Sequence, residues 1–129
     1  MELRDEAESN RKSVLIVEDE AILRLVVVEA LNDTGRIIYE AGNGIRALDI
    51  LSAHPSVALL ISDIKMPGMS GYELAERALA LNPELKIIFM TGYSRDPMPD
   101  AMRRAGAQVL YKPFDLEKLC SMVREIVPS

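Results

Sequence analysis

The chain has 129 residues, about half of them apolar, with no Trp and few aromatics, which suits a single domain built round an aliphatic core. Its formal charge of −5 excludes non-specific nucleic-acid binding, which needs clustered Lys and Arg to release counterions. No secretory segment and no apolar run of about 18 residues is present, so no membrane span is expected, and the lone Cys120, without a disulfide partner, fits a reducing cytoplasm.

Residues 1–12 (MELRDEAESNRK) are polar and charged and read as a tail, leaving 13–129 as the domain. Ser13–Val17 is a short continuous apolar run of the kind buried on both faces of a parallel sheet. A helix is expected over Ala21–Thr34, closed by Gly35, then a strand over Ile37–Ala41. Gly42-Asn43-Gly44 is a turn, and Ile45–Ala53 a helix that stops before His54-Pro55. Val57–Ser62 is the third strand. Met66 to Gly71 form a loop in which Gly68 and Gly71 serve turn geometry and Ser70 caps a helix through Leu81. Lys86–Met90 is the fourth strand, Asp100–Ala105 a short helix, Ala107–Tyr111 the fifth strand, and Leu116–Val127 the last helix. Five strand–helix alternations specify an α/β fold, a doubly wound five-stranded parallel sheet of (βα)5 type.

Each strand but the second ends at a chemically telling residue. Glu18-Asp19 follow VLIV, Asp63 follows ALLIS, Thr91 follows IIFM, and Lys112 follows AQVLY. In an open parallel sheet such ends emerge along one edge, where ligands bind. Three clustered acids repel one another, and a divalent cation relieves the conflict; an all-oxygen set with few carboxylates favours Mg2+. A hydroxyl and an ammonium beside them suit a phosphoryl group carried on Asp63. Taken alone, Glu18-Asp19-Glu20 reads as an acidic helix start, favourable at the positive end of the helix dipole. His54 reads as a solvated helix-end residue, Cys120 as a small buried residue, and the methionines as core filler.

The segments VLIVEDE, LLISDIKMPGMSGYEL, IIFMTGY and AGAQVLYKPF, in this order and spacing, resemble the receiver domain of two-component response regulators. The resemblance spans Ser13 to Val127 and implies the flavodoxin-like receiver fold. It also implies Mg2+-dependent phosphorylation of Asp63 by a histidine kinase or histidine phosphotransfer protein. Glu18 and Asp19 would hold the metal with Asp63 and the Lys65 backbone carbonyl, Thr91 would be the switch hydroxyl, and Lys112 would bind the phosphoryl. A cis Lys112–Pro113 bond is implied. Many receivers carry an aromatic residue three positions before the lysine, where this chain has Val109, with Tyr111 on the same strand face. The Thr91-Gly92-Tyr93 run resembles a subgroup of single-domain receivers.

After Lys112 the chain is long enough for one helix and no output domain, so output is expected through a downstream protein or onward phosphoryl transfer. Two other readings stand beside this one. An aspartyl-phosphate phosphohydrolase would need a second acid near the nucleophile, but Ile64 and Lys65 follow Asp63. A flavin binder would need a Ser/Thr/Gly-rich loop after the first strand, where this chain has acids. Lys65 and Tyr93, each two residues beyond a site residue, are expected to cover the phosphoryl and slow its hydrolysis. On the first helix, Leu23, Val26, Val27, Ala30 and Thr34 should face the sheet, leaving Ile22, Leu25 and Val28 as an exposed aliphatic patch for a helical partner.

Overall fold

Short aliphatic runs alternating with helix-forming segments produce five strands and five helices in a computed structural model that describes residues 12–92 and 97–128. In chain order these are β1 (Ser13–Val17), α1 (Ala21–Asn32), β2 (Ile37–Ala41), α2 (Gly44–Ala53) and β3 (Val57–Asp63). There follow α3 (Gly71–Leu81), β4 (Lys86–Thr91), α4 (Asp100–Arg104), β5 (Gln108–Tyr111) and α5 (Leu116–Ile126). The strands form one sheet in the order β2-β1-β3-β4-β5, and every pairing is parallel. The expected doubly wound (βα)5 architecture is therefore present.

The period-two alternation of each strand divides its side chains between two cores. Leu15, Val17, Leu60, Ile87 and Phe89 meet Ala47 and Leu51 of α2, Leu74, Ala75 and Ala78 of α3, and Met102 of α4. Val14, Ile16, Leu59, Ile61, Ile88 and Met90 meet Val27 and Leu31 of α1 and Leu119, Cys120 and Val123 of α5. Because both faces are covered, the central strands are apolar throughout, and each fully buried Leu, Ile or Val side chain contributes roughly 1.5–3 kcal/mol. Met66, Met69 and Met98 pack against the first core, in line with their reading as filler.

The element boundaries are set by local chemistry. α1 ends two residues earlier than expected: Thr34 leaves the helix and its Oγ1 donates to the Leu31 carbonyl at 2.6 Å, and Gly35 follows at φ 78°. Asn43 caps α2 by accepting from the Arg46 N–H, and Ser70 caps α3 by accepting from the Glu73 N–H. β3 and β4 run one residue further than the apolar pattern suggests, since Asp63 still pairs with Met90 and Thr91 with Tyr111. α4 and α5 stop one residue short, and β5 begins one later. His54 is half-buried and stacks on Tyr39, with ring centroids 4.3 Å apart, so it is a packed residue and not a solvated one.

The face of α1 differs from expectation in one respect. Leu23, Val27, Ala30 and Thr34 turn inward, joined by Leu31, but Val26 is 43% exposed while Val28 packs against the second core. Helical periodicity sets Val26 nearer the stripe than Val28, but packing against the second core, and not periodicity, decides which valine is covered. Among the described residues, no helix is long and apolar enough to cross a membrane.

Candidate functional site

The site forms at the carboxyl edge of the sheet, where the ends of β1, β3, β4 and β5 lie side by side. Glu18, immediately after β1, is fully buried, and its N–H donates to the Ala41 carbonyl at 3.1 Å. Its Oε2 accepts the Glu20 N–H at 3.1 Å, and its Oε1 accepts from Lys112 Nζ at 3.1 Å. Asp63, the last residue of β3, accepts from Lys112 Nζ at 2.9 Å through Oδ2 and from the Lys65 N–H at 3.3 Å through Oδ1. Asp19 is exposed and completes the cluster: one carboxylate oxygen each from Glu18, Asp19 and Asp63 lie within 4.8 Å of one another.

Thr91 is buried at the end of β4, and its carbonyl accepts the Lys112 N–H at 2.7 Å, which fastens the lysine to the neighbouring strand. The Lys112–Pro113 bond is cis, as the resemblance implies. The structure thus gathers Glu18, Asp19, Asp63 and Lys112 directly and sets Thr91 one residue beyond the Met90–Asp63 pair. Lys65 has an exposed side chain, and Tyr93 lies outside the described residues. Val109 is half-buried against the first core, while Tyr111 is 65% exposed.

Burial raises the Glu18 pKa, outweighing the Glu20 N–H and the Lys112 ammonium that favour its anion; Asp19 and Asp63 push the same way as burial. Burial alone would lower Lys112, but hydrogen bonds to Asp63 and Glu18 and their charges hold it above its ordinary value. One ammonium therefore serves two carboxylates, with Asp19 as a third acid in the cluster. An all-oxygen donor set with surplus negative charge fits a hard divalent cation such as Mg2+.

One residue escaped the sequence reading, and a second has a role other than the one expected of it. Arg24 donates through Nη1 to the Glu18 carbonyl at 2.7 Å and through Nε to Glu40 Oε1 at 3.0 Å. Spacing does not reveal a contact between α1 and β2. Gly71 is the first residue of α3, and a Cβ there would collide with the Asp63 carbonyl group. Its only sequence signal is a poor helix former at a helix start.

Comparison with known proteins bears directly on this arrangement. The family model of the response regulator receiver domain matches residues 14–124. The chain belongs to that family. The response regulator receiver protein CpdR of Brucella abortus is 38% identical over 117 residues, which cover 90% of this chain and 97% of CpdR. Sporulation initiation phosphotransferase F of Bacillus subtilis is 33% identical over 119 residues, covering 91% and 94% of the two chains. The crystal structure of Vibrio cholerae chemotaxis protein CheY4 superposes with a TM-score of 0.79 at 26% identity, covering 91% of this chain and 99% of CheY4. Receivers accept phosphoryl groups at an acidic pocket that binds Mg2+, and the receiver described here has that acidic cluster. The names of these relatives, a receiver protein and a phosphotransferase, place them in signalling.

Proposed function

We propose that this receiver accepts a phosphoryl group on Asp63 from the phosphohistidine of a histidine kinase or histidine phosphotransfer protein. The observation that carries this is Asp63 itself, held at the sheet edge by Lys112 Nζ at 2.9 Å and grouped with Glu18 and Asp19. A carboxylate oxygen of Asp63 attacks phosphorus as the P–N bond of the donor breaks. The bonding electrons pass to the imidazole nitrogen, and the ring, protonated at its other nitrogen, leaves neutral. Glu18, Asp19, Asp63 and the Lys65 backbone carbonyl would hold one Mg2+, which supplies positive charge against the phosphoryl oxygens. Lys112 is already desolvated and ion-paired, so its ammonium needs only a short move to reach the new phosphoryl. The Thr91 hydroxyl is the second donor.

Domain 13–129 is the functional unit in this reading; the segment expected to be a tail lies, but for Lys12, outside the described residues. The donor docks on α1, where Ile22 and Leu25 are 80% and 55% exposed and Val26 adjoins them. Output is phosphorylation-dependent docking of a downstream protein or onward transfer; similarity to a phosphotransferase of Bacillus subtilis supports the second. The Lys65 side chain, two residues beyond Asp63, shields phosphorus from water. The phosphoryl is then lost on the order of many minutes to hours.

Incubated with phosphoramidate and Mg2+, the protein should gain one acid-labile phosphoryl group, seen as a mass increment, and Asp63→Asn should gain none. Label on Asp63→Asn, or full labelling in excess EDTA, would overturn the assignment. Decay of the label within seconds would reject the long lifetime alone.

A further inference from the structure

Arg24 lies outside the acidic cluster yet touches the turn that carries two of its three acids. Its Nη1 donates to the Glu18 carbonyl at 2.7 Å, and its Nε donates to Glu40 Oε1 at 3.0 Å. Glu40 is the penultimate residue of β2, and Ala41, the last, accepts the Glu18 N–H at 3.1 Å. The β1–α1 turn is thus bolted to the end of β2 through both the N–H and the carbonyl of Glu18. Gly42 is the next residue, and a Cβ there would lie 3.0 Å from Arg24 Nη1, tighter than ordinary contact. β2 contributes no side chain to the acidic cluster, but Glu40 and Ala41 at its end hold the Glu18 turn, and Gly42 leaves room beside the guanidinium.

The ion pair with Glu40 does not by itself account for the arrangement. Glu40 is half-exposed, and an ion pair with such a partner contributes little. Charge does not account for it either, since a fixed cation beside three acids weakens their attraction for a divalent ion. What remains is geometry: a planar fork with two directed donors holds a backbone carbonyl at a set distance from a neighbouring strand. We propose that Arg24 is a positioning residue, which fixes Glu18 and Asp19 relative to Asp63 and so sets Mg2+ affinity and the rate of phosphoryl acceptance, with Gly42 as the opening that admits its guanidinium. The proposal rests on the function stated above.

The test is Mg2+ binding by isothermal titration calorimetry, with phosphoramidate labelling and the thermal midpoint in EDTA measured on the same proteins. Arg24→Lys keeps the charge and loses the fork. It should weaken Mg2+ binding about tenfold, as loss of an outer-shell partner does, and slow labelling in step. Gly42→Ala reaches the same contact from the other side and should act in the same direction. The double variant should be no weaker than the worse single one, because both act through one contact. Wild-type Mg2+ affinity in Arg24→Lys, whatever its thermal midpoint, would overturn the proposal. So would tighter binding in Arg24→Ala, the mark of a purely electrostatic role, or additive losses in the double variant. Wild-type protein that neither binds Mg2+ nor takes label would instead overturn the function itself, and this inference with it.

Discussion

Gly71 fixes how closely the acceptor strand is packed. It opens α3, and its N–H donates to the Ile64 carbonyl at 2.7 Å, so the helix start is drawn against the end of β3. A methyl group there would overlap the Asp63 carbonyl oxygen and lie 3.0 Å from Ile64 Cα, both of them backbone atoms with no rotamer in which to retreat. Gly68 is a different case: it adopts φ 83°, the left-handed region that a side chain disfavours, and its Cβ would meet nothing. The expectation that both glycines serve turn geometry therefore holds for Gly68 and fails for Gly71, whose role is close approach. Gly71→Ala should cost about 1–3 kcal/mol, the usual penalty of overpacking, read as a lower urea midpoint. It should also slow phosphoramidate labelling by displacing Asp63. A variant with unchanged stability and labelling would show that the helix start shifts without strain.

Helix α1 carries two functions on two faces. Its inner stripe is built of Leu23, Val27, Ala30 and Leu31, and its outer side exposes Ile22, Leu25 and Val26 beside the acids. Leu25→Glu and Ile22→Glu should slow phosphoryl transfer from a histidine protein several-fold or more while sparing labelling by phosphoramidate. Equal rates by both routes in these variants would remove α1 from the donor contact. The inner side meets α5, where the Cys120 thiol is buried and lies 3.5 Å from the Ala30 carbonyl. Burial raises its pKa above the ordinary 9.0, so the reactive thiolate is scarce near neutrality and gains only as pH climbs past that value. Iodoacetamide should thus modify Cys120 slowly at pH 7.5, faster with each rise in pH, and rapidly once urea unfolds the chain. Rapid loss of the thiol at pH 7.5 in the folded protein would contradict this. The same helix shows where sequence reading stops. AILRLVVVEAL is apolar on nearly every side, so the pattern identifies a helix but not which of Val26 and Val28 faces out; packing against the second core decides it.

At the scale of the molecule, strands buried on both faces made the fold legible. A continuous aliphatic run too short for a helix and closed by turn residues has two faces to bury, and a parallel sheet covered by helices buries both. Glu18, Asp19, Asp63, Thr91 and Lys112 were legible for a related reason: parallel strands bring every carboxyl end to one edge, so a residue's place in its strand fixes its place in the site. Arg24 was not, because its partners Glu18 and Glu40 lie on neighbouring strand ends and nothing in the local pattern relates them. The sheet order also has a bearing on how the protein is born. β1 sits between β2 and β3, so the strands that bring Glu18, Asp19 and Asp63 to the edge are all made before β4 and β5. Lys112, the ammonium that serves two of them, lies 49 residues beyond Asp63 on the last strand to be made. At about 5–20 residues per second, Lys112 is made roughly 2 to 10 seconds after Asp63. The order of synthesis thus makes β5 the strand that closes the acidic cluster.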